Sequence, residues 1–250
     1  VFDQESPTFT SAQPDIQLSS EAGLCTAVAT WTEPTAADLC GGVTLTSSHP
    51  SGTAFNMGTS TVTYTCTDDA GNTAILSFNV NVTDIELPQI ISLPVDMSVG
   101  TDSGSCSGFA TWSEPTTQDC DSAALSTTHA SGSEFPLGDT VVTYTATDPT
   151  GNQSTGSFTV TVLDESAPQI TSTPSGLTAD TAPGTCAATM TWAEATAEDH
   201  CSAVTISYSH LPGSSFPLGT TVVTATAIDQ SNNSTSGHTK HLCFMDSCVA

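Results

Sequence analysis

The chain is predicted to be all-β: three tandem immunoglobulin-like antiparallel β-sandwiches arranged as a rod. Three observations predict this. The 250 residues are one module written three times, at a spacing of about 80 residues. Each copy carries alternating β-branched and aromatic runs bounded by glycine and by Asp-led turns. No amphipathic helix of useful length competes, and a tryptophan follows the first cysteine of every copy, as in immunoglobulin-like sandwiches. The boundaries fall at 1–84, 85–164 and 165–250. Residues 1–5 read as an N-terminal segment able to donate a strand.

In chain order, each copy opens on a Gly-x-Cys element and a Trp-led element: Gly23-Leu24-Cys25 with Trp31-Thr32-Glu33-Pro34, Gly104-Ser105-Cys106 with Trp112-Ser113-Glu114-Pro115, and Gly184-Thr185-Cys186 with Trp192-Ala193-Glu194-Ala195. A second cysteine follows (Cys40, Cys120, Cys201), then a histidine (His49, His129, His210) and a Phe-x-x-Gly turn. The main strand comes next, in Thr61–Cys66, Thr140–Ala146 and Thr221–Ala227, each preceded by Gly58, Gly138 or Gly219. It ends on the turns Asp68–Asn72, Asp148–Asn152 and Asp229–Asn233. Their fourth residue is Gly71, Gly151 and Asn232, the residue types that tolerate a left-handed backbone. The closing strands Ile75–Val82 and Ser157–Val162 place Phe and Val on one face and polar residues on the other, the pattern of a half-buried sandwich strand.

Features that recur at equivalent positions three times are explained by the fold each copy must build. Trp31, Trp112 and Trp192 therefore read as core rather than as a carbohydrate platform. The repeated histidines read as loop or edge residues. Glu33, Glu114 and Glu194 read as loop-ordering groups rather than a glycosidase pair, which would need two carboxylates flanking one cleft. Serine is abundant, but no nucleophile elbow with a partnered histidine is present. No catalysis is expected, and no cofactor is required.

Composition narrows the partners. Twenty-six acidic residues stand against one basic residue, Lys240, for a formal charge of −25. Phosphate binding needs clustered Lys and Arg, so nucleic acid is excluded, and an anionic membrane surface is excluded likewise. Ser and Thr make up about 30% of the chain, which suits either a hydrated, glycosylated surface or simple β-propensity. Neither a cleavable leader nor a run of ~18 apolar residues is present, so the chain reads as a mature exported segment without membrane insertion.

Sandwiches of about 80 residues are near the lower size limit for an independent core and need staples. The nine cysteines fit an oxidising, extracellular setting. One pair per repeat, 14 or 15 positions apart, reads as a local bridge: Cys25 with Cys40, Cys106 with Cys120, Cys186 with Cys201. Cys243 and Cys248 read as a fourth disulfide, with a zinc site including His238 and His241 as the weaker reading. Cys66 is left over. It is a buried free thiol, or it makes an intermolecular bond.

The residues also resemble a known family. Pro88-Gln89-Ile90 and Pro168-Gln169-Ile170, the Gly-x-Cys and Trp-x-Glu-Pro elements, Phe135-Pro136-Leu137-Gly138 and Phe216-Pro217-Leu218-Gly219, and the Thr-Tyr-Thr-Ala-Thr-Asp-x-x-Gly-Asn run are similar to the hyalin repeat, or HYR domain. The resemblance covers nearly all of the chain. It implies an immunoglobulin-like module of matrix, adhesion and surface proteins, without catalysis. Copy one departs at Asn56-Met57 and at Cys66, and copy three departs at its end.

The ends and junctions carry the remaining expectations. The closing region of copy three, from Gly237 onward, breaks the apolar alternation, and Val1-Phe2-Asp3 matches the tail of a closing strand. An unfinished last sandwich could accept a strand from another subunit, giving a head-to-tail homopolymer with Val1, Phe2, Phe9, Leu242 and Phe244 as subunit contacts. The alternative is a divergent last strand capped by its own disulfide. Asp84, Glu86, Asp164 and Glu165 at the linkers are expected to hold calcium, against the alternative that Asp and Pro merely rigidify a short linker. Asn81, Asn152, Asn232 and Asn233 lie in N-glycosylation sequons. The functional expectation is an extracellular structural or adhesive protein, the glycosylated subunit of a filament joined by strand addition. The alternative is a monomeric ligand- or carbohydrate-binding ectodomain or accessory region.

Overall fold

The structure, a computed structural model, describes residues 3–182 and 184–244, except for the side chains of Leu242 and Phe244. The expectations placed on Val1, Phe2 and Cys248 therefore lie outside the described residues, as do those on the Leu242 and Phe244 side chains. Every regular element among the described residues is a strand.

In copy one the strands are β1 (Thr8–Phe9), β2 (Ile16–Ser19), β3 (Thr26–Ala29), β4 (Ala36–Ala37), β5 (Val43–Ser47), β6 (Thr53–Asn56), β7 (Gly58–Asp68) and β8 (Thr73–Thr83). Sheet order β2-β8-β7-β5 forms one layer, and the pairs β1-β4 and β3-β6 supply the other. Pairings are antiparallel except β2 with β8, where Ile16 faces Val80 and Leu18 faces Val82 in a parallel ladder. The core lies between the layers: Ala27, Ala29 and Phe55 meet Val62, Tyr64, Phe78, Val80 and Val82, with Phe9, Ile16, Leu18 and Trp31 packed against them. Burial of a valine such as Val62 or Val80 contributes roughly 1.5–3 kcal/mol. Because β7 from Val62 and β8 from Phe78 alternate between buried and half-buried positions, a slip of one residue would move this whole set off the core face, and the register is fixed accordingly.

The same four-stranded order recurs in Met97–Gly100, Gln153–Leu163, Gly138–Thr147 and Ala124–Thr127, and again in Thr178–Asp180, Ser234–Phe244, Gly219–Ile228 and Thr205–Tyr208. The tryptophans lie on the core. Trp31 meets Phe78 edge-on at 5.3 Å between ring centres and donates its Nε1–H to the Tyr64 hydroxyl at 2.8 Å. Trp112 meets Phe158 in the same way at 5.1 Å. Each repeated histidine tilts against the core phenylalanine that follows it, as His49 does on Phe55 at 5.2 Å.

Copy three corrects one expectation. Its closing strand is complete: Ser234–Phe244 pairs along its length with Gly219–Ile228 and, in parallel, with Thr178–Asp180. The alternation persists but with unusual residues, since Thr239, His241 and Cys243 are the buried ones. Thr239 faces Val223 as Phe78 faces Val62, and His241 faces Thr221 as Val80 faces Ser60. The missing phenylalanine ring is replaced from the next inward position, where the His241 ring stacks on Trp192 at 4.7 Å. A hydroxyl and an imidazole at core positions look like broken patterning in sequence, whereas backbone pairing keeps the strand intact. His238 is on the exposed side of the same strand and bonds Thr224, so His238 and His241 do not converge as the zinc reading required.

The chain divides into two compact units. The first runs through Leu93 and includes Glu114–Thr128 and Thr143–Ser157. The second comprises Pro94–Ser113, His129–Val142 and the residues from Phe158 onward. Each holds one outer copy together with part of the middle copy.

Candidate functional site at the module junctions

The turn after each main strand is organised by its leading aspartate. Asp148 Oδ1 accepts the backbone N–H of Asn152 at 2.8 Å and the Thr150 hydroxyl at 2.9 Å, while Oδ2 accepts the Asn152 side-chain amide at 2.7 Å. Burial alone would raise this carboxyl, but the hydrogen bonds from Asn152, Thr150 and Gly151 outweigh it and hold the Asp148 carboxyl below its ordinary range. Gly151 carries φ 95°, and Asn232 at the same place carries φ 69°, so the left-handed position is where the sequence places it. Asp68 with Asn72, and Asp229 with Asn233, repeat the arrangement.

In the first unit this turn meets the linker between copies one and two. The Asn152 amide reaches the backbone carbonyl of Asp84 at 3.3 Å. Asp84 itself is 4% exposed. Its Oδ1 accepts from Ser20 Oγ at 3.3 Å and from the Glu86 N–H at 3.0 Å. Asp119 completes a cluster: Asp84, Asp119 and Asp148 each offer an oxygen, all within 4.8 Å of one another. The Oδ2 atoms of Asp84 and Asp119 are buried and have no hydrogen-bond partner. Burial raises the Asp119 carboxyl above its ordinary range, and the neighbouring carboxylates of Asp84, Asp148 and Glu86 add to this against a backbone hydrogen bond at Cys120. Orphaned carboxylate oxygens are costly to bury, and a hard cation with oxygen ligands at 2.3–2.6 Å spans two opposed oxygens about 4.8 Å apart. Asp84, Asp119 and Asp148 could supply three of the six to eight oxygen ligands that a calcium ion takes.

In the second unit the equivalent residues are Asp164, Asp199 and Asp229. Asp164 and Asp199 cluster beside Cys201, Ser202 donates to Asp164 Oδ2 at 3.4 Å, and the Asn233 amide reaches the Asp164 carbonyl at 3.0 Å. Of the four linker acids predicted to bind calcium, Asp84 and Asp164 belong to the clusters. Glu86 instead accepts the Gly23 N–H, and Glu165 lies against Gly100, outside the cluster. Asp119, Asp148 and Asp199 were missed. The signal that could have found Asp119 and Asp199 is the constant 35-residue interval of Asp84 to Asp119 and Asp164 to Asp199, which also separates Asp3 from Asp38.

The cysteines require a second correction. The bridges are Cys25–Cys120, with Cα atoms 5.2 Å apart, and Cys106–Cys201, at 5.0 Å, each spanning 95 residues. They join the first cysteine of one copy to the second cysteine of the next, and the local pairs expected from the 14- or 15-residue spacing do not form. The physical reason is that the two cysteines of a copy sit beside different linkers. Gly23, two residues before Cys25, bonds Glu86 in the linker after copy one, whereas Cys40 clusters with Asp3 and Asp38 at the start of that copy. Cys66 is buried in the copy-one core, where Ala146 and Ala227 stand in the other copies, and burial, then Asp68 and Asp38, raises its thiol. Cys243 is buried in β-structure of copy three, in its core.

Three of the four sequons, those of Asn152, Asn232 and Asn233, fall on the junction turns, and two of these asparagines are held by the junction acids. The Asn152 side-chain nitrogen donates to Asp84, Asp148 and Thr150, and that of Asn233 to Asp164 and Asp229. A glycan there would leave one N–H for these acceptors. Asn81 is half-exposed on β8 and Asn232 is exposed.

Three β-sandwiches in tandem, with a carboxylate cluster and a bridging disulfide at the linkers, define a string-of-modules protein. The chain belongs to the HYR domain family, which matches residues 2–82, 83–162 and 163–240. It is similar to hyalin of Lytechinus variegatus, 37% identical over 243 residues covering 94% of this chain and 46% of that protein. It is also similar to hyalin of Strongylocentrotus purpuratus, 34% identical over 94% of this chain and 20% of that protein. The chain thus spans about half or less of these relatives. Among solved structures, the I-band fragment I67-I69 from titin matches at TM-score 0.44 and 11% identity, over 97% of this chain and 100% of that one. No helix among the described residues is long and apolar enough to cross a membrane.

Proposed function

We propose that the chain is an extracellular structural and adhesive protein whose working parts are its module junctions. The observation that carries this reading is the staggered bridging of consecutive copies by Cys25–Cys120 and Cys106–Cys201. A disulfide between modules limits how far a linker can open under load, and such bonds persist in an oxidising extracellular setting. HYR membership and similarity to hyalin support the reading. The surface is rich in Ser and Thr, and Asn81 and Asn232 are the sequon residues whose amides the junctions leave available for glycans.

Calcium belongs to the same reading. Asp84, Asp119 and Asp148 would hold it, and the ion would neutralise three clustered carboxylates and satisfy the two orphaned oxygens. Melting of the chain with calcium and with a chelator tests this. A ligand at 100 times its Kd adds about 2.7 kcal/mol, so a clear rise in the transition that covers the first unit is expected. Asp119→Asn should abolish that rise. A melt indifferent to calcium and chelator overturns the metal reading and leaves the bridged-module reading in place.

Polymerisation through strand addition draws less support than the sequence suggested, because Ser234–Phe244 already has strand partners on both sides. Phe9 is likewise engaged within its own module, in β1 and against the copy-one core. Negative-stain imaging of native material distinguishes filaments from single strings of modules.

A further inference from the structure

We propose that the acid cluster and the disulfide of the first unit form one redox-linked cation site. The chain with Cys25–Cys120 closed binds calcium more tightly than the chain with that bridge reduced, and bound calcium in turn makes the bridge harder to reduce. The inference rests on the calcium reading of Asp84, Asp119 and Asp148, and it adds the regulation of that site.

A continuous run of bonds joins the two features. Asp84 is buried with its Oδ2 unpartnered, and its Oδ1 accepts the backbone N–H of Glu86 at 3.0 Å. Glu86 Oε1 accepts the backbone N–H of Gly23, which is two residues from Cys25. Cys25 is bonded to Cys120, and a backbone hydrogen bond runs from Cys120 to the Asp119 carboxylate. The run thus starts and ends at the two carboxylates whose buried Oδ2 atoms have no partner. Asp84, Asp119 and Asp148 each offer an oxygen within 4.8 Å of the others, so a cation seated among them closes the run into a ring.

The bridge is what fixes one side of that ring. Asp119 stands one residue beyond the ladder in which Gln118 faces Gln89, and on its other side the next residue is Cys120, tied to copy one through Cys25. With the bridge open, the ion must itself order this segment, an entropic cost that the closed bridge removes. Cys25 and Cys120 line one cavity of about 280 Å³ with Gly23, Glu86, Gln118 and Asp119, and Cys25 is exposed. A small thiol therefore has access to the sulfurs beside the acids.

The second unit provides the contrast. Asp164 Oδ2 accepts the Ser202 hydroxyl at 3.4 Å, Asp229 stays outside the cluster of Asp164 and Asp199, and among the described residues none of these three acids has a buried oxygen without a partner. Cys106–Cys201 is expected to be indifferent to calcium.

Linkage between the two events is reciprocal. The factor that separates the calcium affinities of the bridged and reduced chains also separates the thiol–disulfide equilibrium constants with and without saturating calcium. Coupled sites commonly differ by about 5–150-fold. A tenfold factor corresponds to about 30 mV in a two-electron potential, which calcium shifts to more negative values. The reductant is a low-molecular-weight thiol. One thiolate attacks a bridge sulfur, forming a mixed disulfide and expelling the other cysteine as thiolate; a second thiolate attacks the small-molecule sulfur and expels the remaining cysteine. Cys25 and Cys120 end as thiols carrying the two protons of the small thiols, which leave as one small disulfide.

The test uses the full chain in glutathione buffers of graded reduced-to-oxidised ratio, with saturating calcium or with a chelator at equal ionic strength, quenched by alkylation and read by peptide mapping. The Cys25–Cys120 equilibrium should move by about tenfold toward more reducing buffers in calcium, with Cys106–Cys201 unmoved, and Asp119→Asn should remove the shift. Calorimetric titration of calcium into the oxidised chain and into Cys25→Ser with Cys120→Ser should show the same factor at the site that Asp119→Asn deletes. If the double variant does not fold, the glutathione equilibrium of the unaltered chain decides alone. Asp119-dependent calcium binding with the Cys25–Cys120 equilibrium unmoved, or moved the other way, overturns the linkage and leaves the calcium reading standing. Absence of Asp119-dependent calcium binding to the oxidised chain overturns both. Equal movement of both bridges overturns the linkage, because it reports a general effect of calcium on the fold.

Discussion

Lowering the pH from 7.5 to 5.5 should loosen copy three through a single side chain. His241 is 1% exposed, stacked on Trp192, and neither ring nitrogen has a hydrogen-bond partner. Burial therefore holds its pKa below the ordinary value, and the folded state keeps the ring neutral. An unfolded histidine titrates near 6.5. The unfolded state thus binds more protons as pH falls, and stability is lost progressively below about pH 6.5, down to the depressed folded value. If the folded ring stays neutral throughout, the loss over this interval is about 1.4 kcal/mol, a tenfold rise in opening. The carboxylates contribute little here because ordinary Asp and Glu titrate near 4. Hydrogen exchange of the peptide spanning Ser234–Phe244 is the appropriate readout, since a chain of several modules does not melt as one transition. Comparison with His241→Val, which restores the residue type of Val80 and Val160, removes the contribution of the other histidines. A wild-type chain that shows the same pH slope as His241→Val refutes the reasoning.

Three further outcomes follow from the same geometry. Cys25→Ser with Cys120→Ser opens a loop of roughly 100 residues, for which chain entropy assigns a loss of up to ~4.7 kcal/mol; it should appear as faster exchange around Gly23 and Asp119, with the copy-one core strands less affected. Gly151→Ala forces an L-residue to φ 95° and should cost about 1–2 kcal/mol, measurable as a lower urea midpoint of the first unit, whereas Asn232→Gly should be neutral or stabilising. Intact-mass measurement of native material should find glycan mass that Asn81→Gln and Asn232→Gln reduce and that Asn152→Gln leaves unchanged.

The strands were legible because their information is local. Period-two alternation over Gly58–Asp68 and Thr73–Thr83 dictates which side chains face inward, and Asp68 with Gly71 and Asn72 dictates the turn between them. Threefold repetition separated the residues that build the sandwich from the rest. Core assignment of Trp31, Trp112 and Trp192 followed from that alone. The closing strand of copy three was misjudged because Thr239 and His241 are polar, and only the ladder with Gly219–Ile228 and the stack on Trp192 reveal that they point inward.

The amino-acid sequence by itself determined the all-β class, the three copies, the turns and the absence of basic surface, since each depends on residue type and short spacing. Tertiary structure alone decided the junctions. Asp84 and Asp148 are 64 residues apart and meet only because the turn of one module abuts the linker before it, and Asp119 joins them from a third segment. Cys25 bonds Cys120 rather than Cys40 for the same reason: within a module the two cysteines lie beside different linkers, and the thiol nearest in space belongs to the next copy. Sequence proximity sets local conformation, whereas disulfide and carboxylate partners are set by which ends of the folded modules come together.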